Sequence, residues 1–203
     1  MRNRGKIFLA TLILIMFGII IKITIPEYDV RGFSLSEREA FLANAGGNHH
    51  FIFELGAGNY EFKLYRFQKG ELIEEHVFPA GGVVIGDRNP EGLQVYNPRN
   101  LVSITATNIE TETWAWSIGS EGFNLGNGIE VTEVERLSRS SESLNTRLQL
   151  KDSEIPLAYM AFTEGSFPTA LQSIVSGQFD VHEKGDQFVE INDLFIITVR
   201  RIY

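Results

Sequence analysis

The sequence predicts an all-β domain, a β-sandwich of about ten short strands, held behind a single N-terminal transmembrane helix and a short juxtamembrane helix. Three observations predict it. One long apolar run stands alone at the N-terminus, in residues 7–25. From His49 onward, apolar and polar residues alternate with a period of two, the period of a half-buried strand. Turn residues then punctuate the chain at short, near-regular intervals.

Residues 7–25 read IFLATLILIMFGIIIKITI, with Lys22 the one charge. At about 1.5 Å per residue such a helix is roughly 28 Å long, close to the hydrocarbon thickness of a bilayer. Lys22 lies near one end, where its stem can carry the ammonium to the interface. Pro26 ends the run. Arg2, Arg4 and Lys6 precede it, and Glu27 and Asp29 follow. Basic flanks stay inside, so the N-terminus is expected in the cytoplasm and the remainder outside the cell membrane.

A cleaved signal peptide also opens with basic residues and an apolar stretch. Here the run is long for that role. Its end, Ile23-Thr24-Ile25-Pro26, lacks the small residues of a cleavage site, and Ala43-Asn44-Ala45 lies too far downstream. The expectation is a single-pass signal anchor over residues 1–26. The chain has no cysteine and no N-x-S/T sequon. A eukaryotic surface domain of this size more often has one or both, so the composition points to a bacterial envelope.

Residues 27–47 read as a juxtamembrane linker and short helix. Ser36-Glu37-Arg38-Glu39 fits a capping box, residues 37–44 favour helix, and Gly46-Gly47 supplies its end.

The predicted domain is 48–203. Phe51, Phe53 and Leu55 alternate with Ile52 and Glu54, and Tyr60, Phe62 and Leu64 with Glu61, Lys63 and Tyr65. Gly56-Ala57-Gly58-Asn59 lies between, which predicts a β-hairpin. Further strands are expected at 71–78, 82–86, 101–107, 112–118, 129–135, 144–150, 155–163, 178–183 and 194–202. Turns fall at Gln68-Lys69-Gly70, Asn89-Pro90, Asn97-Pro98, Asn127-Gly128 and Lys184-Gly185-Asp186. Residues 169–175 fit a helical turn or a strand. The sandwich is expected to be jelly-roll-like or built from two duplicated halves, 48–137 and 144–203. Residues 51–70 align without gaps to 146–165, and 100–107 parallels 193–200. Ser138–Ser143 reads as a polar linker between the halves.

Charge and composition exclude several functions. Four of the 18 basic residues, and none of the 26 acidic ones, precede Glu27; the remainder, 14 basic against 26 acidic, carries a formal −12. Such a domain repels phosphate backbones, so nucleic acid is not an expected partner. Without cysteine there is no disulfide framework, thiolate metal site or thiol catalysis. No G-x-S-x-G occurs, and Gly81-Gly82-Val83-Val84-Ile85-Gly86 lacks the G-K-[ST] of a phosphate loop. No cofactor is expected.

Among candidate chemistry-bearing residues, Glu74 and His76 are two apart and share a strand face. With His50 or His182 they could form a His/Glu metal site; the plainer reading is polar side chains facing solvent at strand ends. His49 and His50 are adjacent, so on a strand they face opposite ways. Glu71, Glu74 and Glu75 cluster, as do Glu130, Glu133 and Glu135, and paired carboxylates could act on a sugar. Asp87–Glu91 is rich in oxygen ligands but lacks calcium-loop spacing. Trp114, Trp116 and Tyr96 are candidate ligand or partner contacts. The small, polar opposite face of the tryptophan strand (Thr113, Ala115, Ser117) makes the tryptophan side the natural core.

The expected function is a membrane-anchored extracytoplasmic binding or interaction module, an accessory or sensor component of a bacterial envelope complex with a protein partner. A carboxylate-based hydrolase and a structural envelope subunit are the alternatives. Enzymatic activity is not the favoured reading.

Overall fold

The computed structural model describes residues 29–33, 48–85, 94–95, 101–110, 112–120, 123–124, 129–134, 137–150, 153–177, 179–182 and 185–202. The predicted anchor at 7–25 and the helix at 37–44 lie outside the described residues. No helix among the described residues is long and apolar enough to cross a membrane.

The fold is all-β. In chain order the strands are β1 (Val30–Gly32), β2 (His49–Leu55), β3 (Gly58–Gln68), β4 (Glu71–Ile85), β5 (Gln94–Val95), β6 (Leu101–Glu110) and β7 (Thr113–Ser120). There follow β8 (Phe123–Asn124), β9 (Ile129–Val131), β10 (Ser138–Ser143), β11 (Arg147–Leu148), β12 (Ile155–Thr163) and β13 (Asp193–Ile202). One sheet has the order β11-β1-β2-β6-β7-β8, with β9 also on β7; the other has the order β10-β12-β13-β3-β4-β5. All pairings are antiparallel except the short β4–β5 contact.

The two sheets stack face to face. Alternate residues of facing strands fill the space between them: Phe51, Phe53 and Leu55 from β2, Phe62 and Leu64 from β3, Ile104 from β6, Trp114 and Trp116 from β7, Phe195 and Ile197 from β13. Each such side chain contributes about 1.5–3 kcal/mol on leaving water.

The predicted hairpin between β2 and β3 does not form. Both strands are present, but β2 pairs with β1 and β6, and β3 with β13 and β4. The Gly56-Ala57 turn therefore carries the chain from one sheet to the other. Alternation reports which face of a strand is buried, and both runs bury theirs in the same core from opposite sides. The true hairpin is β3–β4. Lys69 and Gly70 both have positive φ, as a two-residue turn matched to strand twist requires.

A second layer covers the far side of the β3/β12/β13 sheet. Residues 164–192 bring a short helix α1 (Leu171–Val175) and a 3-10 turn (Gly185–Phe188) over it. Leu171, Ile174 and Val175 recur with helical spacing and pack with Phe179 and Phe188 against Tyr65, Tyr159 and Ile196. Strand β12 is thereby buried on both faces along its whole length. The ambiguous 169–175 stretch thus holds the helix Leu171–Val175, and of the strand predicted at 178–183 the described residues, 179–182, are an irregular part of this cover.

Two further differences follow from burial. Ser138–Ser143, expected as a linker, is edge strand β10 on β12; an edge strand with one solvated side tolerates a polar sequence. The expected strands at 129–135 and 144–150 shrink to β9 and β11. The aligned segments 51–70 and 146–165 each run from one sheet to the other, whereas 100–107 and 193–200 lie in different sheets. The segments 48–137 and 144–203 share one sheet through β3 and β13.

Candidate functional site

Four polar features stand out. The first is centred on Arg66 of β3. Its neighbours Tyr65 and Phe67 face the cover, so Arg66 turns inward, into the end of the sandwich. It is 4% exposed, and its Nε donates to Asp193 Oδ1 at 2.8 Å, itself 2% exposed. Nη1 donates to Glu74 Oε1 at 2.8 Å and to the Thr132 carbonyl at 3.0 Å, and Nη2 to the Glu133 carbonyl at 3.1 Å. Gln68 Nε2 adds a bond to Asp193 Oδ1 at 3.2 Å. Phe195 lies under the guanidinium, 5.7 Å from it. Four of the five guanidinium N–H groups are used, so Arg66 fastens the segment after β9 to the opposite sheet.

Glu74 and His76 are brought together as predicted, with His76 Nε2 2.9 Å from Glu74 Oε2. The second partner of Glu74 is Arg66. Burial raises the Glu74 pKa, but the hydrogen bonds from His76 and Arg66 outweigh it and hold the carboxyl below its ordinary range. His50 lies on the other sheet, 3.1 Å from Thr105 Oγ1. His182 sits edge-on to Tyr65 on the outer side of the β3 sheet. Neither joins Glu74 and His76. Among the described residues no group of three or more His, Asp or Glu side chains is placed to hold a metal ion.

The second feature lies under the cover. Lys63 Nζ donates to Glu75 at 2.7 Å and to Tyr65 Oη at 3.2 Å, and stands 3.6 Å from Glu154 Oε2. Thr198 donates to Glu154 Oε1 at 2.5 Å. Burial opposes the Lys63 charge, but Glu75, Tyr65 and Glu154 raise its pKa above the ordinary value. Burial and then Glu154 push the Tyr65 phenol up. Glu154, Thr198, Asp180 and His182 line an adjoining cleft of about 240 Å³. Both oxygens of Glu154 are already engaged, which leaves it poorly suited to general acid or base work.

The third is His49, at the rim where β2 meets β10. Its Nδ1 is 3.0 Å from Ser141 Oγ, and its ring packs 6.1 Å from Trp114. Arg139 lies over the same indole at 5.2 Å. Burial first, then the charges of Arg139 and His50, lower the His49 pKa to about 4.

Trp114 and Trp116, named as candidate contacts, lie on the side that the sequence reads as the natural core. Both are in the inter-sheet core, against Phe162 at 5.5 Å and Phe195 at 5.4 Å respectively. Trp116 Nε1 has no hydrogen-bond partner among the described residues. Tyr96 lies outside the described residues, as do Glu135 and Asp87–Glu91.

The fourth feature is the outer edge of β4. Strand β5 meets only Val84 and Ile85; among the described residues no strand pairs with Glu71–Phe78 on that side. Leu72, Ile73 and Val77 are 44%, 43% and 43% exposed, and nearby Val189 is 57% exposed. Beyond Arg66, Glu110, Glu112 and Glu133 line an open groove with Thr113 and Thr132. This end of the molecule is strongly acidic. Sequence reading missed Arg66, Asp193, Lys63 and Glu154. The one available signal was a charged residue, Arg66, set between two aromatics in a strand.

No protein family matches the chain, and neither curated proteins nor solved structures give a match.

Proposed function

We propose that the chain is a contact module, held on the outer face of a bacterial cell membrane by residues 7–25, which presents its acidic end to a protein partner. The reading is carried by the open β4 edge, where exposed apolar side chains meet that acidic end. The little-exposed charged groups favour it: Arg66, Asp193, Lys63 and Glu154 are consumed in bonds to neighbouring side chains and to the backbone.

Geometry gives the reading a direction. Asp29 is fixed in the sandwich: it accepts from the Leu150 N–H at 2.8 Å and from Arg201 at 3.0 Å. Only three residues separate Asp29 from Ile25, and three extended residues reach at most about 10 Å. On this reading the end bearing Asp29, Gly56 and Arg201 lies against the bilayer. Strand β3 starts at that end and runs 11 residues away from it, roughly 35 Å. The Lys69-Gly70 turn, the first half of β4 and Glu110, Glu112 and Glu133 then stand at the far end. An acidic end is repelled by anionic lipid and steered toward basic surfaces. Confinement to a membrane raises the effective concentration of a neighbouring partner.

The test is an exchange of anchors in a strain that depends on the protein. Replacing residues 1–26 with an unrelated single-span anchor is expected to keep function, and releasing residues 27–203, which retain Asp29 and β1, as a free domain to lose it. Function retained by the released domain, or lost with the unrelated anchor, would contradict the reading.

A further inference from the structure

We infer that the edge of β4 between Glu71 and Val77 takes a partner by strand addition, and that the partner segment is an extended strand with basic residues on one face and apolar residues on the other. The inference rests on the contact reading above and specifies its surface and partner class.

The register of β4 on β3 sorts its side chains. Leu72 stands opposite Phe67, Glu75 opposite Tyr65 and Val77 opposite Lys63. Tyr65 and Phe67 belong to the outer cluster under the cover, so Leu72, Glu75 and Val77 share the outer face. Glu74 stands opposite Arg66, His76 opposite Leu64 and Phe78 opposite Phe62. Leu64, Phe62 and Phe78 belong to the inter-sheet core, so Glu74 and His76 share the inner face. Glu71, opposite Gln68, joins them. The register shift after Arg66 leaves Ile73 as a bulge.

The two faces of this edge therefore differ. The outer face offers Leu72 and Val77, and its Glu75 is neutralised by Lys63 at 2.7 Å. Val189 extends it, because its Cγ1 lies close by Gly70 at the β3–β4 turn. The inner face carries Glu71, which makes no ion pair among the described residues; Glu74 beside it is held by Arg66 and His76. This face continues through Arg66 to the Thr132 and Glu133 backbone and so to the groove of Glu110, Glu112 and Glu133.

An edge strand turns every second N–H and C=O outward. An added strand satisfies those groups, and the alternation of its side chains matches one face to apolar contacts and the other to charge. A strand alternating lysine or arginine with valine, isoleucine or leucine meets both faces at once. A second copy of this chain does not, because its own edge, ELIEEHVF over 71–78, offers no lysine or arginine to the acidic face, and like charges opposite one another on paired strands are destabilising.

The test uses the full chain in lipid nanodiscs and a short peptide of alternating lysine and valine. Amide hydrogen exchange is followed with the peptide, with the same peptide N-methylated at alternate positions, and with a glutamate–valine version. The expected result is slowed exchange confined to residues 71–78 with the lysine peptide alone. Affinity should fall at least tenfold in Glu71→Lys/Leu72→Lys, whose circular dichroism should be unchanged because both side chains are exposed. Absence of slowed exchange, or slowing only around Glu110–Glu133, overturns the inference. So does equal binding of the N-methylated peptide, which cannot complete the strand. Slowed exchange at 71–78 without peptide, rising with protein concentration, assigns the edge to a second copy and also overturns it. The anchor exchange reads the contact role whichever surface is used, so the two failures are distinguishable.

Discussion

Arg66 and Asp193 are 127 residues apart in sequence and form a 2.8 Å ion pair buried between β3 and β13. The pair closes the end of the sandwich that also carries the β4 edge. Removing one member leaves the other charged and buried. Arg66→Met is therefore expected to cost about 3–5 kcal/mol, read as a lowered midpoint in urea. Arg66→Lys should recover little, since a point charge cannot bond Asp193, Glu74 and two carbonyls together. A loss under about 1 kcal/mol would show that the guanidinium is solvated.

Trp116 fills the middle of the core between Phe51, 6.5 Å away, and Phe195. Trp116→Ala should cost about 3–5 kcal/mol, the usual penalty for a buried large aromatic. The emission of both tryptophans should be blue-shifted and poorly quenched by iodide. Strong quenching would return them to the surface.

Acid should weaken the fold through His49. Its pKa is lowered from 6.5 to about 4, so the unfolded chain takes up the proton first. The contribution of neutral His49 is complete above pH 6.5 and is lost as pH falls from 6.5 through 4. In His49→Gln the slope of stability against pH over that window should flatten. An unchanged slope would assign the acid sensitivity to carboxylates such as Glu74.

Gly185 holds the cover against the β3–β4 turn. A Cβ on Gly185 would overlap the carbonyl oxygen of Gly70, and neither backbone can yield cheaply. Gly185→Ala is expected to speed hydrogen exchange in residues 164–192 while β2 and β6 stay protected. Uniform acceleration across the domain would mean that the cover and the sandwich unfold as one unit.

The sequence made some of this legible and hid the rest for physical reasons. Alternation exposed β2, β3, β6 and β7, because each buries one face. β12 and β13 were expected as strands at 155–163 and 194–202, but that a covering layer buries their outer faces was not legible, because the layer is irregular and carries no strand period. β10 was hidden, since Ser138–Ser143 pairs through its backbone and needs no apolar side chains. Pairing partners were hidden too: Gly56-Ala57 reads the same in a hairpin and in a crossing between sheets. Glu74 and His76 were found together by spacing, but their organiser, Arg66, depends on Asp193 and Thr132, which only the fold brings near. The β4 edge was invisible because exposure is a property of what fails to pair.

The central claim is contact through the far end of an anchored sandwich. Its most direct measurement is site-specific photocrosslinking in native membranes, with a benzophenone side chain placed in turn at Leu72, Ile73 and Val77 on the β4 edge, and at Ala57 and Arg147 at the opposite end. The account predicts one discrete protein adduct shared by the three edge positions and absent from the other two. Adducts confined to Ala57 and Arg147, or none at any edge position in a folded and functional protein, would contradict it.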